Sequence, residues 1–149
     1  MKKNNQLVFY TAELNQCHFI LQNREIENQI SSFLLKYVSI EAFYKKLLIA
    51  EKEQSGKKLA QKDKRSLRVV SSDVRRVLNY FEIDCDADLI ERIFGSNDAS
   101  YMDCSIKKLR DRMVHTVNEN VLRVILERYD QMNKDMDAFV DLFLSQSGR

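Results

Sequence analysis

The stretch KKLRDRMVHTVNEN, residues 107–120, concentrates the side chains of this chain best suited to chemistry. Arg110 is followed at once by Asp111, then by Arg112, and five positions after Arg110 comes His115. A histidine titrating near neutrality can move a proton in either direction. An arginine fixed nearby offers planar donors to charge building on a phosphate. The pair suits cleavage of RNA by its own 2′-hydroxyl, a reaction that requires no metal. Asp111 lies four residues before His115, on a neighbouring helical position from which a carboxylate orients an imidazole. The other histidine, His18 in NQCHFILQ, has no arginine five to seven residues before it and reads as a helix residue without chemistry.

Helical geometry constrains what this stretch can do. With 100° per residue, Ile106, Leu109 and Met113 fall within about 60° and form a core-facing stripe. Arg110 sits at the edge of that stripe and His115 opposite it, about 140° apart around the axis and about 7.5 Å apart along it. A single straight helix does not aim both at one phosphate. Convergence requires the helix to end at His115 and turn the imidazole, or a second copy to bring its own residues across a two-fold axis. The sequence therefore predicts self-association through a face that includes this helix.

The elements that must position these residues are helical. The 149 residues contain no proline and three glycines, too few breakers for the turns of a sheet protein. Leu7, Tyr10, Leu14, Cys17 and Leu21 recur with a period near 3.5, predicting a helix over 6–22. Asn23 is a cap for a second helix over 25–53, whose pattern breaks at Gly56. Further helices are predicted over 71–81, 105–115 and 118–145, with one or two turns in IDCDADLIERIFG between an Asp cap and Gly95. Thr116 and Glu119 read as a T-x-x-E capping box that starts the last helix, and SNDASYMDC reads as a loop. The length predicts one domain over 1–149.

Charge is distributed unevenly. Residues 45–76 carry eleven Lys/Arg against four Asp/Glu, whereas 77–149 carry nine against fourteen. Lys62, Lys64, Arg65 and Arg68, with Arg112 of the motif, are therefore the candidate contacts for a nucleic-acid backbone, against the plainer reading of a solvated lysine-rich loop. The three cysteines, Cys17, Cys85 and Cys104, are odd in number and have no zinc-ligand spacing. No cofactor and no metal are expected. The start MKKNNQLVFYTAELNQ has too short an apolar run for a signal peptide, and no run approaches a membrane span, so the chain is read as cytoplasmic.

The order of a helix, RDRMVH, a short break and the long amphipathic NVLRVILERYDQMNKDMDAFVDLF resembles the HEPN superfamily over roughly residues 100–145. That resemblance implies an all-α, up-and-down bundle of four to six helices with an R-x(4–6)-H motif and a polar residue after the arginine. Arg110, His115 and Asp111 match those three positions. It further implies a metal-independent endoribonuclease acting as a homodimer on RNA, of the kind found in toxin–antitoxin and phage-defence systems, with an antitoxin or regulatory protein as a candidate partner. Some members of the superfamily are instead non-catalytic interaction or nucleotide-binding modules. Geometry separates the two readings. Motif residues from two chains lining one positive cleft favour the enzyme, and a motif residue held in an ion pair inside one bundle favours the module.

Overall fold

The computed structural model describes residues 2–96 and 99–147, so positions 97–98 of the predicted loop and Gly148 lie outside the described residues. Seven helices and no strand occur among them: α1 (Lys2–Leu21), α2 (Arg24–Gln54), α3 (Gln61–Arg65), α4 (Ser71–Tyr80), α5 (Ala87–Phe94), α6 (Ile106–His115) and α7 (Glu119–Ser147). The all-α reading is correct. The extra element is α3, a single turn inside the basic stretch.

Capping explains most boundaries. Asn23 accepts the Ile26 N–H at 3.2 Å and opens α2, and Asp86 accepts the Asp88 N–H at 3.0 Å and opens α5. After α2 the chain turns at Gly56, whose φ of +92° suits a residue without Cβ. Ser105 accepts the Lys108 N–H at 3.1 Å and donates to the Gly95 carbonyl at 2.6 Å, which bolts the end of α5 to the start of α6. Two expectations need correcting. Thr116 does not cap α7, because its hydroxyl turns back to donate to the Arg112 carbonyl at 2.9 Å and closes α6. Asn118 does that work, accepting the Val121 N–H at 2.9 Å. And α1 begins at Lys2, not at residue 6.

The stripe of α2 supplies the centre of the core. Ile30, Phe33, Tyr37, Ile40, Tyr44 and Leu48 recur every three or four residues and are all buried. Phe94, at the end of α5, plugs between α2 and α7: its ring lies 6.4 Å from Tyr37, 5.9 Å from Tyr44 and 5.4 Å from Phe139. Such aromatic edges add to the burial itself. α7 lies beside α2 in the same direction, as the Lys36–Asp137 ion pair (3.0 Å) and the Phe43–Phe143 ring contact (4.8 Å) show. α6 runs the other way, with Arg110 at Glu41 and Met113 lower down, beside Ile30 and Leu34. The end of α1, the start of α2, the end of α6 and the start of α7 thus meet at one end of the bundle.

Candidate functional site

α6 positions the motif because Ile106, Leu109 and Met113 are its buried stripe, as the spacing requires. That burial turns Arg110 toward α2. One Nη donates to Glu41 Oε2 at 2.6 Å, and the same nitrogen lies 3.1 Å from Asp111 Oδ1. The guanidinium carbon stands 5.0 Å above the Tyr37 ring, a cation–π geometry. The Arg110 and Glu41 side chains are only 22% and 17% exposed, and the Arg110 Nε is buried without a hydrogen-bond partner. Glu41 also pairs with Lys45 at 3.0 Å. Two cations and two carboxylates therefore balance around Arg110, which leaves little surplus field for a phosphate.

His115 is elsewhere. It is the last residue of α6 and exposed, about 7.5 Å farther along the helix than Arg110. Asp111, expected to orient it, pairs with Arg110 at 3.1 Å. Arg110 and Asp111 meet in one ion pair, and His115 stands about 1.4 helical turns beyond Arg110 at the end that Thr116 closes.

Arg112 and Lys64 among the other candidate cations also have partners. Arg112 donates to the Ala99 carbonyl at 3.3 Å and stacks over Tyr101 at 4.7 Å. Arg128 donates to the carbonyls of Tyr101 (2.8 Å) and Cys104 (2.7 Å), so the two arginines hold the loop before α6. Lys64 pairs with Glu53 at 3.1 Å, while Lys62, Arg65 and Arg68 are exposed. Lys107 donates to the Val69 carbonyl at 2.6 Å, which sets the basic stretch beside the start of α6. His115 is at the opposite end of that helix, about 13 Å away along its axis.

Sequence reasoning missed Glu41 and Tyr37. Both sit on α2, 69 and 73 positions before Arg110, and nothing local to the motif names them. The one available signal is that Tyr37 and Glu41 stand four apart, on one edge of the α2 stripe. Burial raises the Tyr37 phenol well above its ordinary value, and the Glu41 charge adds to the rise while Arg110 opposes it. Tyr44 is raised too, by burial first and then by Asp73. Among the described residues no cluster of three or more His, Cys, Asp or Glu could hold a metal ion, and no helix is long and apolar enough to cross a membrane. No family model, no curated protein and no solved structure matches this chain.

Proposed function

We propose that the chain is a HEPN-like helical interaction module with no cleavage centre inside one protomer. The observation that carries this reading is the commitment of Arg110 to Glu41, Asp111 and the Tyr37 face, which makes the motif arginine a clamp between α6 and α2. A guanidinium so held would have to give up both carboxylates before it served a phosphate. Three cysteines without a disulfide, two of them buried, suit a reducing compartment, and the cytoplasm is the setting we propose.

One observation favours a second reading, the metal-independent endoribonuclease. His115 is exposed at the mouth of the bundle, where a second copy could complete a site around it. A single assay separates the two. Purified protein and the His115→Ala variant are incubated with single-stranded RNA in chelator. The module reading expects no cleavage that depends on His115. Loss of cleavage in the variant by about 10²–10⁴-fold, with 2′,3′-cyclic phosphate ends in the wild-type products and DNA left intact, would establish the enzyme instead.

A further inference from the structure

The N-terminal two-thirds of α1 leaves the bundle without covering its own apolar residues. The stripe Leu7, Tyr10, Leu14, Cys17 and Leu21 begins inside the molecule, where Cys17 is buried and Leu21 packs against the core. The same stripe then emerges: Leu14, Tyr10 and Leu7 are 58%, 59% and 65% exposed. Val8, Phe9 and Phe19 are also exposed, so apolar side chains surround the helix. A helix apolar on all sides is normally enclosed. Leu7, Tyr10 and Leu14 share one side of the helix, and Val8, Phe9 and Phe19 add exposed apolar surface on its other sides.

We infer that α1 is a dimerisation arm and that its occupant is the α1 arm of a second copy, crossing antiparallel about a two-fold axis near Leu14. Three observations select a second copy. The spacing is symmetric: Leu7 and Leu21 each lie seven residues from Leu14, about 10 Å to either side, and although Cys17 is covered within the protomer, the half-buried Leu21 is reached by an arriving Leu7 from the groove it lines. At Leu21 opens a groove of about 550 Å³, lined by Ile30, Leu34, Met113, Val117 and Leu122, an apolar seat for an arriving tip. Charge agrees. No charged residue occurs from Asn4 to Ala12, whereas Lys3 near the tip would arrive where Glu25 and Glu27 open α2, with Glu27 on the groove. An arm this poor in cations is ill suited to a phosphate backbone. The interface is isologous, the same patch serving on both copies. It forms at the bundle end that carries His115, but it does not depend on either functional reading.

The test is the mass of the full chain by sedimentation equilibrium, without RNA. Wild type is expected to be a dimer. Leu14→Glu sets two carboxylates at the axis and is expected to raise the dissociation constant by about 100-fold or more, with helical circular dichroism unchanged because Leu14 is exposed in the protomer. Leu14→Cys is expected to form an interchain disulfide under mild oxidation. Leu35→Glu, at an exposed α2 position off the groove, is expected to leave the dimer intact. Wild type that stays monomeric at high micromolar concentration overturns the inference and points to another protein on the arm. A dimer insensitive to Leu14→Glu, or one broken equally by Leu35→Glu, overturns it as well.

Discussion

α1 and α2 are neighbours in sequence, both rich in apolar residues at helical spacing, and they meet opposite fates. From Ile30 to Leu48 the stripe of α2 is covered by α4, α6 and α7, with Phe94 of α5 wedged against Tyr37 and Tyr44. The stripe of α1 is covered only from Cys17 onward. Apolar periodicity states that a helix needs a partner and leaves open whether that partner is in the same chain. α2 finds it inside, so its aromatics are core. α1 does not, so its aromatics are surface in the protomer and become interior only in an assembly.

The contrast is sharpest at two phenylalanines. Phe94→Ala empties the junction with Tyr37, Tyr44 and Phe139 and is expected to cost about 3–5 kcal/mol by urea unfolding. Phe9→Ala, measured at a concentration where the protomer stands alone, is expected to stay within about 0.5 kcal/mol of wild type. Equal losses would break the distinction between a covered helix and an arm.

The motif repeats the contrast on a smaller scale, within one helix. Arg110→Ala strips Glu41 of its closest partner and is expected to cost about 1–3 kcal/mol, less than a fully buried pair because Lys45 remains. His115→Ala, at an exposed helix end, is expected to fall within about 0.5 kcal/mol. A large loss at His115 with none at Arg110 would reverse the assignment of clamp and surface residue.

Titration of the core gives a third measure. Unfolded tyrosine loses its proton near pH 10, while burial keeps Tyr37 and Tyr44 protonated in the folded chain. The folded values are raised, so their contribution is fully present below pH 10 and is lost above it. There the unfolded chain binds fewer protons, and stability is expected to fall by up to about 1.4 kcal/mol per pH unit for each phenol. Urea midpoints at pH 8, 10 and 11 check the sign, and a midpoint that rises across this range would refute it. Tyr37→Phe halves the slope. At pH 8 it is expected to change stability by less than about 1 kcal/mol, because the buried hydroxyl has no hydrogen-bond partner to lose.

Local rules make the helices legible. The caps at Asn23 and Asp86, the stop at Gly56 and the buried stripe of α6 all depend on residues within a few positions of one another, and each is readable in the sequence. The start of α7 is misleading for a related reason: Thr116 and Asn118 both offer a capping oxygen, and closure of α6 takes the first of them. The residue types of the motif, and the angle between Arg110 and His115 on one helix, are likewise determined by sequence alone. The partner of Arg110 is not. Glu41 approaches only because α2 and α6 run antiparallel at contact distance, and packing of Leu109 and Phe94 against the same core decides that placement. Coverage of α1 is also a tertiary outcome: the period of its stripe is written in residues 7–21, while the point where the bundle stops covering it depends on how α2 and α7 are placed, a long-range arrangement to which no local spacing refers.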